Sequence, residues 1–338
     1  MANAENAKIQ IELGQELTTY TAATDSGDHQ IYNAGTLWSG KSGFEPSVRP
    51  NGMVSGRNVL SSASTSDQVN VAAFTAYSKG SLKTVTATNS TFSRPTTGGA
   101  SKVVSVTMAS DGSIATVAGP ENAAGFASTR GSDGGPALIP TNSVEVGQLR
   151  VTSSTSAALA TSEIYQVPGQ HTERYDYPTW DEYNVGFGVQ ADTPAEETAH
   201  AKFASALPQI HSNSITKQIY IQYYTPVFSD LSRAMDFVPI EESYSVSSTQ
   251  IYGGRSVGSS SKSLNQGSHT AMLSDGVSDA IVQQKGETLT RKFFPDQNQT
   301  PYILDQGNLG ISRTFPVNDQ IQADCTISGE SQSAEFTS

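Results

Sequence analysis

Short segments of alternating apolar and polar residues, each cut off by Gly, Ser, Asn or Asp, set the strongest limit on how this chain folds. AKIQIEL places Ile9, Ile11 and Leu13 on one side, and DQVNVAAFTAY, SLKTVTAT, KVVSVTM, SIATVAG and SVEVGQLRVTS follow in the same style. A period of two sends successive side chains to opposite faces of a strand, and turn-formers at this spacing join strands into a sandwich or barrel. Residues 1–165 therefore read as strands and turns with no convincing helix. Composition agrees. Only 36% of residues are apolar and 15% charged, yet 12 Phe and 13 Tyr supply material for a core.

The texture changes near 166, where QVPGQHTERYDYPTWDEYNVGF gathers Tyr175, Tyr177, Trp180, Tyr183 and Phe187. The expected division is a β-rich N-terminal region with an arm at 1–165 and a second β unit at 166–338. TPAEETAHAKFASALP carries an N-cap at Thr193, Pro194 at the first helical position and Glu196 closing a capping box, so it reads as a helix. The alternative is a strand paired with TKQIYIQYY across SNS. YSVSSTQIYGG runs into GGRSVGSSSKSLNQGS, a long flexible loop or hairpin tip near 253–268. SDGVSDAIVQQKG reads as a short helix over 275–285, capped by Ser274 or Asp275, with Val277, Ala280 and Ile281 on one face and Gly286 ending it. ETLTRKFF, YILDQGNLGISRTF and DQIQADCTIS form an antiparallel meander, and GESQSAEFTS reads as a polar tail.

GTLWSGKS, Gly35 to Ser42, matches G-x-x-x-x-G-K-[ST]. A phosphate loop must leave a buried strand and enter a helix whose N-terminus holds the phosphates. Here Pro46 and Pro50 stand where that helix belongs, and each would break it. The segment reads instead as a turn anchored by Leu37 and Trp38, with Lys41 meeting a neighbouring chain. The five histidines lie at 29, 171, 200, 211 and 269, and none falls at ligand spacing from another. Asp25, Asp28 and His29 form a polar turn. The S-x-x-K match at Ser259 to Lys262 sits in a Ser-rich loop rather than at a helix start. The lone Cys325 alternates with Ile321, Ala323 and Ile327, which puts a buried structural thiol on the inner face of a strand. No catalytic set, metal site or cofactor is expected.

With 20 basic against 32 acidic residues the net charge is −12, which disfavours a DNA-gripping role. The N-terminus shows no signal peptide, and no window approaches the ~20 apolar residues of a membrane span. Synthesis in a cytoplasm and a soluble product are expected. Asp181-Glu182, Glu196-Glu197 and Glu241-Glu242 are adjacent like charges, read either as exposed turns and helix starts or as the lining of a surface in an assembly.

KQIYIQYYTPVFSDLSRAMDFVP, STQIYGGRSVGSSSKSLNQGSHTAMLSDG and KFFPDQNQTPYILDQGNLGISRTFPVNDQIQADCTIS resemble the tail tube proteins of long-tailed, non-contractile bacteriophages. AGTLWSGKSGFEPSVRPNG and ASTRGSDGGPALIPTNSVEVGQLRV resemble the larger members of that group. The resemblance implies a mainly β subunit, a tail-tube-type sandwich or barrel with a short flanking helix. It also implies hexameric rings stacked into a hollow tube through N-terminal arms and an extended loop or hairpin. Its partners would be further copies of itself and the terminator, tape measure and distal tail proteins. Double-stranded DNA would pass through without specific binding, no membrane would be involved, and the location would be the virion tail. An acidic wall would let DNA slide, and Asp181, Glu182, Glu196, Glu197, Glu241 and Glu242 are the candidates to face that lumen. The length of 338 residues exceeds a minimal tube subunit, so an added β domain or elaborated loops are expected. The other readings are a β-rich capsid decoration or receptor-binding protein, and an enzyme using the 35–42 loop.

Overall fold

The strand Lys8–Ala22 runs through the middle of the largest sheet and holds it together. On one side it pairs antiparallel with Ile219–Asp230, from Gln10 opposite Asp230 to Ala22 opposite Tyr220; on the other it pairs with Thr288–Phe294, Ile9 facing Phe293. Its register shifts between Glu12 and Gly14 and again between Thr18 and Thr21, irregularities that bend a strand. The computed structural model describes residues 5–56, 58–166, 180–183, 199–212, 215–252, 255–329 and 331–337. Over these the chain is mainly β.

The large sheet has the order Ala234–Val238, Gly267–Met272, Gln322–Ser328, Tyr302–Thr314, Thr288–Phe294, Lys8–Ala22, Ile219–Asp230, Ser47–Pro50. The sheet curls back on itself. Phe237, on the first of these strands, stacks on Phe293 of the fifth, with ring centroids 4.2 Å apart. Ile9, Ile11, Ala271, Leu289, Leu309 and Ile327 fill the interior. The expected meander is present, and Gln322–Ser328 buries Ala323, Cys325 and Ile327 while its alternate residues face outward. Burial raises the Cys325 thiol to about 12, as an inert structural cysteine requires.

A second core, within residues 53–159, joins Met53, Val69, Phe74, Val106, Val146 and Leu149. It is enclosed by three small antiparallel sheets, so a self-contained module is inserted between Ser47–Pro50 and Ile219–Asp230. The large sheet meanwhile takes Lys8–Ala22 and Ser47–Pro50 from before residue 165 and its other strands from after it. The module is pinned to the sheet by Arg49, whose guanidinium lies 4.4 Å from the Tyr20 ring and 4.8 Å from the Tyr77 ring. Tyr220 also donates to Asn142 Oδ1 across 2.5 Å.

Three expectations are corrected. Residues 275–285 form turns with one 3-10 turn at Val282–Gln284 rather than a helix. Asp279 accepts the N–H groups of Ser274 and Gly276, Asp275 accepts those of Val277 and Ser278, and Gly276 adopts φ +73; these local bonds displace the helical ladder. His200–Phe203 is a strand, not helix, and pairs with Ile31–Asn33 and Trp180–Tyr183 instead of TKQIYIQYY. The period of two won there because Ala199, Ala201 and Phe203 pack around Trp38; residues 184–198 lie outside the described set. The polar tail contains Ala334–Phe336, a strand on Tyr302–Leu304, with Phe336 stacked 5.0 Å from Tyr302. The strand read at AKIQIEL is present as the start of the central strand just described.

Candidate functional site

Residues 242–264 leave the curled sheet at Glu241 and return at Asn265, whose N–H donates to the Glu241 carbonyl at 2.9 Å. Between these points Glu242–Ile251 pairs with Arg255–Leu264, ten residues on each side, in unbroken register from Glu242 opposite Leu264 to Ile251 opposite Arg255. The sequence expectation of a flexible loop over 253–268 gives way to its alternative, a hairpin whose return strand is Arg255–Leu264. β-branched and small residues with period two, bounded by Gly253-Gly254, account for this locally. Ten strand residues reach about 33 Å.

The hairpin has two unlike faces. On one, Ser243, Ser245 and Ser247 share hydroxyl hydrogen bonds with Ser263, Ser261 and Ser259 at 2.8, 2.6 and 2.8 Å. On the other stand Glu242, Tyr244 and Val246 with Lys262. Tyr244 is 66% exposed and Val246 78%. Lys262 forms an ion pair with Glu242 and holds that carboxyl below the usual range, while Tyr244 donates to the same carboxylate at 2.8 Å. Among the described residues the two strands form a sheet of their own, with no third strand on either edge. A lone two-stranded hairpin is marginal in water, so its edges and its Tyr–Val face are available to another chain.

The acidic pairs are dispersed. Glu241 and Glu242 line a cleft of about 580 Å³ at the hairpin base, together with Tyr244, Ser333 and Glu335. Asp181 and Glu182 lie on the strand Trp180–Tyr183, and Glu196 and Glu197 fall outside the described residues. The phosphate-loop pattern resolves as structure. Leu37 and Trp38 are buried, Ser39 bonds Glu12, and the chain continues into the strand Ser47–Pro50 where an NTPase needs a helix. Lys41 is the residue expected to meet a neighbouring chain. It is buried and donates to Gln284 Oε1 at 2.6 Å within its own subunit.

A buried polar cluster lies inside the curled sheet. Arg291 donates to both Asp305 carboxylate oxygens, at 2.7 and 2.6 Å, and its third nitrogen lies 2.8 Å from His269 Nδ1. Burial, reinforced by the Arg291 charge, pushes His269 down to about 3. Arg291 and Asp305 pair bidentately while His269 Nε2 has no hydrogen-bond partner among the described residues, and the Arg291–Asp305 pair is a structural clamp. Among the described residues no group of His, Cys, Asp or Glu could hold a metal ion, and no helix is long and apolar enough to cross a membrane. Comparison with protein-family models, curated proteins and solved structures finds no match.

Sequence reasoning missed Tyr244, Val246 and Lys262. One signal was present: residues 243–264 contain Arg255 and Lys262 and no carboxylate, in a chain of net charge −12.

Proposed function

We propose that this chain is a structural, self-assembling subunit of a non-contractile bacteriophage tail tube, polymerising as stacked, hexameric rings around a channel that delivers DNA. The observation that carries the reading is the hairpin of residues 242–264, a long ladder with an exposed Tyr–Val face and no third strand among the described residues. An element of this sort gains its stabilising burial only from another molecule. The resemblance of the flanking stretches to tail tube proteins names the assembly. A net charge of −12 supports a lumen that repels phosphate, with Glu241 and Glu242 at the hairpin base as wall candidates. Lys262 offsets part of the Glu242 charge, which makes Glu241 the stronger of the two.

Electron microscopy of the purified protein tests this reading. Tubes or stacked rings of one diameter support it; a protein that stays monomeric or forms isolated trimers under all conditions contradicts it. A second reading, a capsid decoration or receptor-binding virion protein, draws on the self-contained core within residues 53–159. Binding of the chain to preformed capsids or host cells, without tubes, would favour it.

A further inference from the structure

The two ends of the hairpin leave and re-enter the curled sheet beside its buried ion pair. On the leaving side Arg291 donates to the Val238 carbonyl at 3.3 Å and lies 4.6 Å from the centre of the Phe237 ring. On the returning side the same guanidinium donates to His269 Nδ1 at 2.8 Å, and the backbone of Gly267 runs against it. A Cβ at Gly267 would come 2.5 Å from an Arg291 nitrogen and 3.0 Å from Ile240, so glycine alone lets the chain pass there. Asp305 holds the guanidinium through both its oxygens and extends the set outward. Ser333 Oγ donates to Asp305 Oδ2 at 3.4 Å and accepts the Ile240 N–H at 2.8 Å, while the Ser333 N–H donates to the Ile240 carbonyl at 2.8 Å. Val238 and Ile240 precede Glu241, and Gly267 and His269 follow Asn265. One network, rooted on Thr288–Phe294 and Tyr302–Thr314, therefore grips both ends of the hairpin.

From this geometry we infer that Arg291, Asp305 and Ser333 are positioning residues for the hairpin, fixing the direction in which residues 242–264 leave the sheet. The inference deepens the self-assembly reading by naming what aims its contact element. Stability alone does not account for the set. In a buried ion pair the attraction roughly offsets the desolvation of the two charges, and apolar residues of the same volume often do as well or better. His269 Nε2, moreover, is buried without a hydrogen-bond partner among the described residues, which costs stability. What the set supplies is angle. Burial of Ile240 holds the leaving strand close but is non-directional. Hydrogen bonds weaken steeply off axis, so those to the Val238 carbonyl and to both backbone polar groups of Ile240 fix the tilt of that strand. The hairpin is a long lever. A tilt of about 10° at its root would carry a tip about 33 Å away through about 6 Å, more than the spacing of about 4.8 Å between paired strands.

Pulsed electron spin resonance on the full chain tests this. Spin labels are placed at Ser260→Cys on the hairpin and Ser312→Cys on the sheet, both exposed positions, and the native Cys325 is fully buried and stays unlabelled. Dilution into unlabelled chain restricts the measurement to distances within one subunit. The parent should give one narrow distance. Replacing the buried set by apolar residues, with Arg291→Met, Asp305→Leu and His269→Leu together, should keep the urea midpoint near the parent's. It should also broaden the distance distribution at least about twofold, because many hairpin directions replace one. Ser333→Ala alters only the half-buried edge of the set and decides the matter if the apolar variant does not fold; it too should broaden the distribution. A folded variant as narrow as the parent, or a parent that is itself broad, would overturn the inference. Because the distance is read on single subunits, a chain that forms no tubes would remove the tube reading and leave this result to be judged alone.

Discussion

The curled sheet and the hairpin it carries use the same antiparallel ladder in opposite surroundings. In Gln322–Ser328 every second residue is buried, so the strand is held by its own subunit. In Glu242–Ile251 the corresponding positions, Tyr244 and Val246, face solvent. The ion pairs differ in the same sense. Arg291–Asp305 is bidentate and shut away from water, with side-chain exposures of 0% and 1%, while Lys262–Glu242 stands at 55% and 19%. A charge pair inside the sheet is costly to break, because removal of one partner leaves the other desolvated. The same pair on the hairpin is screened by solvent and salt. The sheet is therefore stabilised from within, and the hairpin keeps its apolar contacts for something else.

The contrast breaks most sharply at Asp305. Asp305→Ala should cost about 3–5 kcal/mol by leaving the Arg291 guanidinium buried without its counter-charge; a loss below ~1 kcal/mol in urea unfolding would show that the cluster is not the clamp described. Next, Leu289→Ala in the sheet interior should cost about 2–5 kcal/mol, read in the same unfolding series. Acid should act through the buried histidines. Burial holds His269 near 3 and His211 near 4, both down from 6.5. As pH falls below 6.5 the unfolded chain takes up protons at these rings before the folded chain does. Stability should therefore fall across pH 6.5 to about 4, by up to ~1.4 kcal/mol per pH unit for each ring. His269→Asn, which preserves an acceptor for Arg291, should flatten that slope, and an unchanged slope would exclude His269 as its source. The smallest effect belongs to the hairpin: Glu242→Gln should leave the thermal midpoint of the isolated subunit unmoved, and a clear shift would mean that the hairpin does support its own sheet.

Much of the fold was legible in the sequence wherever one face of a strand is buried. Ile9 and Ile11, and Ala323, Cys325 and Ile327, alternate because a period of two is the only pattern that places them all in one core. The failures came where local signals competed with tertiary ones. Thr193, Pro194 and Glu196 form a good helix start, yet the packing of Ala199, Ala201 and Phe203 on Trp38 decided for a strand. Asp275 and Asp279 resemble helix-capping residues but turn their carboxylates onto neighbouring backbone N–H groups. The hairpin was half visible, because a serine-rich ladder with no buried face differs little from a loop by composition. Its pairing is set by register, which composition does not encode.

Deletion of residues 242–264 tests the central claim most directly. Glu241 and Asn265 already share a backbone hydrogen bond of 2.9 Å, so a short Gly-containing turn can close the gap. The account predicts a folded subunit with the thermal midpoint of the parent and no tubes or stacked rings by electron microscopy. Tubes that still form at the parent's rate, or a subunit that no longer folds, would contradict it.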